Sequence, residues 1–385
     1  MKQIYLDHAA TTPMLSSVTD AMMPYFSSVF HNPGGLYSSA NKAKEAIEQA
    51  RNTVASFLQA RPREVYFLDG ATLANNLVLH GIIKAYKKKN PESVPKIITS
   101  SIEHSSIYKQ MNNIEAEIVF LPVDQNGRIS LKELREAICK RTILVSISYA
   151  NGEIGSIEDI KGITKAVRHH RKHNDTVYPY VHTDAVQACY FLPMGVPQLG
   201  IDALTISGSK IYGPKKIAAL YIKSGVDISP IFFGGDQEFG MNPGTENVPY
   251  IVGLETAISY IDTQEFTRLQ KLKDILLQKL KSFDVIINTP LDESLPHIVN
   301  VSFKNLSSEE IVLRLNARGI ECSVKSACAS GEDTDSHVIL ALRDEHTGSI
   351  RFSLGKGNTL EDIEDLHTAL NDIIASMTET QTKYS

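Results

Sequence analysis

The sequence predicts an α/β fold: a large domain built on a mainly parallel sheet flanked by helices, followed by a smaller α+β C-terminal domain. Short β-rich apolar runs at 65–69, 96–101, 116–122, 143–149, 180–184, 203–207 and 218–222 alternate with helical periodicity at 72–88, 131–140 and 159–173. Such alternation argues for parallel strands with helices covering both faces. From about residue 255 the pattern changes. A long amphipathic helix at 264–282 is followed by strands at 297–303, 320–323 and 349–354 and helices at 307–318 and 360–377. A chain of 385 residues with 42% apolar content is also long enough to bury two cores. The expected organisation is an N-terminal segment, 1–14, lying near the site, a large domain over 15–255 and a small domain over 256–385. The Thr/Lys-rich tail after Met377 is expected to fray.

Composition excludes several classes of function. A net charge of −5 offers no general attraction for nucleic acid or an anionic membrane. The N-terminal Met-Lys-Gln-Ile-Tyr-Leu-Asp lacks the apolar core of a signal peptide, and no apolar run reaches membrane-spanning length. A cytoplasmic location is therefore expected. Cys139, Cys189, Cys322 and Cys328 form neither a disulfide framework nor a Cys-x-x-Cys pair, so no structural metal is expected. The basic run Arg168-His-His-Arg-Lys-His173 reads as a solvated helix end.

Ligands of an α/β sheet gather at the carboxyl ends of its strands, and four motifs fall there. Thr205-Ile-Ser207-Gly-Ser209-Lys210 sets a lysine in a Ser/Gly turn after an apolar strand, where desolvation favours Schiff-base chemistry with an aldehyde cofactor, pyridoxal 5'-phosphate (PLP). His182-Thr-Asp184 ends another strand with a carboxylate able to pair with a protonated ring nitrogen. Phe67-Leu-Asp-Gly-Ala71-Thr72 runs from a strand through glycine into a helix, an arrangement that offers free N–H groups to a phosphate. His104, after a fourth strand, can stack on a planar ring. Taken singly, each has a plainer reading as a cap, a turn or a structural side chain. Their combination favours the cofactor site.

These pieces resemble fold-type I PLP-dependent transferases of the class V aminotransferase family, specifically the NifS/IscS-type (group I) cysteine desulfurases. The resemblance runs from Tyr5-Leu-Asp-His-Ala-Ala-Thr-Thr-Pro13 through Asn32-Pro-Gly-Gly, Tyr149-Ala-Asn151-Gly-Glu-Ile-Gly155, Gly234-Gly-Asp-Gln-Glu and Gly244-Thr245-Glu-Asn-Val248. It continues to Ser326-Ala-Cys328-Ala-Ser-Gly and Ser349-Ile-Arg351-Phe-Ser-Leu-Gly355. It implies Lys210 as the Schiff-base lysine, Asp184 as the partner of the pyridinium and His104 as the stacking ring and possible helper with the substrate thiol. Gln187 would contact the phenolic oxygen, and Ala71, Thr72, Ser207 and Ser209 would line the phosphate site. Thr245 would reach that site from the other subunit of a homodimer. Arg351, Asn32 and Asn151 would bind substrate, and Cys328 would be the nucleophile on a loop of the small domain.

The implied activity is conversion of L-cysteine to L-alanine with sulfur passed to Cys328 as a persulfide. Sulfur-acceptor proteins, for iron–sulfur cluster assembly or tRNA thiolation, are the implied partners. A selenocysteine lyase or another aminotransferase of the same fold is the alternative, and Cys328 speaks against it. A scaffold role in a sulfur-transfer complex is disfavoured by Lys210, Asp184, His104 and Arg351 together. The chain departs from the family pattern at Ser209, where a histidine is usual, and at Gly152, Asp69, Leu73, Phe239 and Asn242. Val324-Lys325 replaces a Ser/Thr-Gly pair, and Lys325 could lower the Cys328 thiol pKa.

Overall fold

A computed structural model describes residues 2–324, 336–343 and 348–384. The chain opens with β1 (Ile4–Tyr5). Seven strands then build the large sheet: β2 (Val65–Leu68), β3 (Lys96–Ser100), β4 (Glu117–Leu121), β5 (Thr142–Ser146), β6 (Tyr180–Asp184), β7 (Ala203–Ser207) and β8 (Ala218–Ile222). Their order across the sheet is β2-β8-β7-β6-β5-β3-β4. Pairs from β7 to β4 are parallel, whereas β8 runs against both of its neighbours. The carboxyl ends of β2, β3, β5, β6 and β7 therefore share one rim with the amino end of β8.

Every residue of β5, β6, β7 and β8 is buried, as expected of strands covered on both faces. The covering helices start where their caps dictate. Asp159 accepts from the Gly162 N–H at 2.8 Å ahead of helix Ile160–Asn174, and Ser130 accepts from the Glu133 N–H ahead of helix Leu131–Ala137. The latter helix stops short of the expected 140 and leaves Cys139 outside it. Arg168–His173 closes the former as a basic last turn, where cations suit the helix dipole; Arg168, His169, Lys172 and His173 are exposed as expected, whereas Arg171 is half-buried and pairs with Asp202.

Two long helices lie outside the sequence expectation, beside shorter ones such as Ser16–Met22. Ser38–Leu58 and Val248–Ser259 pack on one another, with inward faces that include Ala40, Ala43, Ala50, Ala55, Gly253 and Ala257. Val248–Ser259 is apolar on most of its faces and so shows little contrast, whereas Ser38–Leu58 carries a regular buried stripe, Ile47, Ala50, Val54 and Leu58, that the sequence expectation passed over.

The free edge of β2 is capped by side chains. Arg51, from helix Ser38–Leu58, donates to the Val65 carbonyl at 2.8 Å and grips Glu238 through two bonds of 2.8 and 2.9 Å. Glu238 accepts from the Phe67 N–H at 2.7 Å, and Asn242 donates to the Phe67 carbonyl at 3.1 Å. The Arg51 guanidinium lies 5.0 and 5.3 Å from the Phe67 and Phe239 ring centres.

The C-terminal part carries β9 (Val285–Ile287), β10 (Ile298–Phe303), β11 (Ile320–Glu321) and β12 (Ile350–Ser353). β12, β10 and β9 form an antiparallel sheet in that order, and β11 pairs in parallel with β1. Ile4 and Leu6 are buried in the same apolar cluster as Leu269, Leu276, Val299, Val301, Phe352 and Leu370. The first residues of the chain are thus packed onto its last third. Helix Leu360–Tyr384 buries Ile363, Leu366, Leu370, Ile373 and Met377 and continues past Met377, where fraying was expected. No helix among the described residues is long and apolar enough to cross a membrane.

Beyond β1 the chain crosses the end of β12, and the Ala9 N–H donates to Ser353 Oγ at 2.9 Å. His8 then lies against Gly355, where a β-carbon would come within 2.2 Å of Nδ1. Gly355→Ala should therefore cost about 1–3 kcal/mol, the scale of overpacking a dense interior. Urea unfolding of Gly355→Ala, His8→Ala and the double variant checks this: the alanine at 355 should be costly only when the His8 ring is present.

Candidate active site

One cleft of about 320 Å³ opens on the shared rim, and its wall collects side chains from five strand ends. Ala71, Thr72, His104, Asn151, Asp184, Gln187, Ser207, Ser209, Lys210 and Arg351 all line it. Asn32 and Thr245 are exposed and do not line it in the single chain. Cys328 and Lys325 lie outside the described residues.

Lys210 ends the short turn Gly208–Lys210 that follows β7, and its Nζ donates to the Ala10 carbonyl. Gln187 Nε2 donates to the neighbouring Ala9 carbonyl at 2.9 Å, so the N-terminal stretch covers one side of the cleft. Asp184, buried at the end of β6, accepts from Asn75 Nδ2 at 2.7 Å and from the Val186 N–H at 3.0 Å. These bonds fix its carboxylate. The His104 ring is oriented by Ser106, whose hydroxyl lies 2.8 Å from Nδ1.

At the other end, helix Ala71–Lys89 begins after Gly70, which has φ +121°, and no side chain caps its first turn. Uncapped N–H groups and the positive end of the helix dipole make a donor set for an anion. Ser207 and Ser209 add hydroxyls 3.1 Å apart. Ser209 thus offers a donor despite its short reach.

Arg351 is 2% exposed on β12. Its guanidinium pairs with Asp7 at 2.7 Å and donates to the Gly152 carbonyl at 2.9 Å. The other Asp7 oxygen accepts from Ser323 Oγ at 2.8 Å. Gly152 also rests on Gln187, whose Nε2 would lie 2.9 Å from a β-carbon there. The glycine therefore admits Gln187 where a larger residue would displace it. The Asn151 amide is engaged with the Ile102 carbonyl and the Glu153 and Ile154 N–H groups, so it shapes the wall of the cleft.

Across the full length of the chain, comparison with known proteins agrees with this geometry. The aminotransferase class-V family matches residues 4–366. The cysteine desulfurase IscS of Dictyoglomus turgidum is 38% identical over 98% of this chain and 95% of its own length. The chain belongs to the class-V aminotransferases, in their cysteine desulfurase group. A solved NifS-like protein superposes with a TM-score of 0.88 at 31% identity, covering 97% of this chain and all of that one. SspA, solved in complex with cysteine, gives 0.80 at 32% identity over 92% of this chain and 99% of its own.

Class-V aminotransferases are PLP-dependent enzymes, and the donor set in the cleft suits that cofactor. A phosphate matches the uncapped helix start and the paired serines, a protonated ring nitrogen matches the fixed Asp184 carboxylate, and an aldehyde matches the Lys210 amine.

The sequence reading assigned no role to Asn75 or Glu103. Asn75 is fully buried on an otherwise apolar helix face, and that is the signal that could have marked it. Glu103 is 1% exposed on the cleft wall, where its carboxyl accepts from the Ser148 hydroxyl and from the Ser148 N–H at 2.9 Å. Burial raises the Glu103 pKa from 4.5 to about 7 against the opposing effect of the Ser148 bonds. His182, wholly buried between Ser146 and Thr205, is lowered by burial to about 4 and stays neutral at pH 7.

A carboxyl raised in the fold favours folding below its unfolded pKa and loses that contribution as pH rises. The Glu103 contribution is therefore complete below pH 4.5 and gone above about 7. Glu103→Gln does not titrate, so its stability relative to wild type should rise with pH across that window. The slope should be about 1.4 kcal/mol per unit. Urea unfolding of both proteins between pH 4 and 8 measures it.

Proposed function

We propose that this protein is a PLP-dependent desulfurase that converts L-cysteine to L-alanine and carries the sulfur as a persulfide on Cys328. The observation that supports the reading best is the convergence of Lys210, the fixed Asp184 carboxylate, an uncapped helix start and a buried arginine on one cleft. The cysteine-bound relative points to the same substrate.

When bound, PLP supplies an electron sink for the bonds at the substrate Cα. Asp184 keeps the ring nitrogen protonated. Lys210 Nζ holds the cofactor and then takes and returns the α-proton. Arg351 binds the substrate carboxylate, for which a planar guanidinium is suited. His104 would stack on the cofactor ring and assist the substrate thiol. The Cys328 thiolate attacks the substrate sulfur, and the carbon–sulfur bond breaks with its electron pair left on carbon. That carbon takes a proton and leaves as alanine, while Cys328 retains the extra sulfur. Acceptor proteins for iron–sulfur assembly or tRNA thiolation then receive it.

The reading includes a cytoplasmic homodimer in which Thr245, and with it Asn32, faces the partner's cleft. Exposed Phe30, Leu36, Phe232, Phe233 and Phe239 support a covered surface near these segments.

Cys328→Ala should retain PLP on Lys210, trapped as a secondary amine by borohydride, yet release sulfide and alanine only at background level. Lys210→Ala should show no trapped cofactor. Undiminished sulfide from Cys328→Ala would overturn the persulfide mechanism. For the dimer, Thr245→Ala and Lys210→Ala chains are co-expressed and the mixed dimer is isolated. Its one lysine-bearing site then receives an intact Thr245 and should hold PLP as wild type does. A mixed dimer as leaky as the Thr245→Ala homodimer would place that contact within one chain.

A further inference from the structure

We propose that Lys216 is a phosphate-binding residue of the cofactor site. The assignment rests on the PLP reading above and extends it to a side chain outside the recognised motifs. β8 lies between β2 and β7 and runs against both, so its amino end meets their carboxyl ends. Leu68 and Ser207 are both register partners of Ala218. Both ladders end at Ala218, and their partners Leu68 and Ser207 lead directly into the Gly70 and Ser209 turns, so Lys216 enters β8 beside both. Contacts on the β7 side follow this course: the Gly208 N–H donates to the Ile217 carbonyl at 3.1 Å, and Ser207 Oγ lies 3.5 Å from the same oxygen. Lys216 therefore stands between the two segments expected to hold phosphate, and it lines the same cleft.

Charge and backbone argue in the same direction. The other donors at this end, the helix N–H groups, Thr72, Ser207 and Ser209, are neutral, and the exposed carboxylate of Asp69 also lines the wall. A phosphate carrying close to two negative charges calls for a cation there. Two other basic groups on the wall are engaged, Lys210 with the Ala10 carbonyl and Arg351 with Asp7. Lys216 is exposed, and no hydrogen bond or ion pair with another described residue engages it. Its φ of +59° lies in the left-handed region, which glycine enters freely and a residue with a β-carbon does not. A strained lysine at the mouth of an anion site is the pattern expected when strain is retained for function.

The test titrates apoenzyme of wild type, Lys216→Gln, Lys216→Gly and Lys216→Arg with PLP and with pyridoxal, which lacks the phosphate. Cofactor on Lys210 is read by visible absorbance and by borohydride trapping. PLP affinity should fall about tenfold in the glutamine and glycine variants, the scale of one charge-assisted contact. Pyridoxal affinity should not change, and arginine should retain wild-type PLP binding. Lys216→Gly should also raise the melting temperature of the apoenzyme, because glycine relieves the backbone, whereas a merely structural lysine would lower both readings together. Equal weakening of PLP and pyridoxal, or unchanged PLP affinity in Lys216→Gln while wild type loads Lys210, overturns the Lys216 assignment alone. Wild type that takes up no PLP on Lys210 overturns the proposed function with it.

Discussion

Strand direction is the constraint on which the cleft depends. Because β2, β3, β5, β6 and β7 run the same way, whatever follows each strand is delivered to one rim: the Gly70 turn, His104, Asp184 and the Lys210 turn. Ligands of open α/β sheets gather at such a rim, outside the carboxyl ends of the strands. The reversal of β8 adds a loop to this set that a fully parallel sheet would send to the opposite side. The cleft is thus assembled from residues far apart in sequence.

The N-terminal stretch does a second job that the sheet does not. β1 and Leu6 are anchored among C-terminal apolar residues, and the next few residues reach back to Gln187, Lys210 and Arg351. Arg351 illustrates why this matters. A guanidinium that is 2% exposed is costly without an anion, and Asp7 offsets that cost before any substrate arrives. In the proposed mechanism the carboxylate of an incoming amino acid would therefore meet an arginine already desolvated and oriented. Ser323, on the second Asp7 oxygen, ties the same network to the segment that leads toward Cys328.

Much of this was legible in the sequence, for identifiable reasons. The seven strands of the large sheet follow from runs of β-branched and apolar residues; nine of the ten expected site residues in the cleft sit at or just beyond the end of such a run, and Arg351 enters from β12. What escaped was information held in pairing or packing. Lys216 gains meaning only from the register of β8 with two neighbours, and Glu103 only from its burial beside Ser148. The helix Val248–Ser259 escaped because it is apolar nearly all round and so gives a weak periodic signal, while Ser38–Leu58 has a regular stripe that was overlooked. Thr245 is exposed in the single chain, as a residue expected to contact a second chain would be, and Asn32, expected to bind substrate, is exposed as well and does not line the cleft.

The cap on β2 bears on how the chain is made. Val65 and Phe67 present backbone groups at a sheet edge, and the side chain that closes that edge, Glu238, lies 171 residues beyond Phe67. During synthesis the strand leaves the ribosome long before its cover exists. For that interval it is an open template on which a strand from another nascent chain could add. Arg51 is made ahead of β2, but both β8, which pairs with the inner edge, and Glu238, which closes the outer one, come long after it.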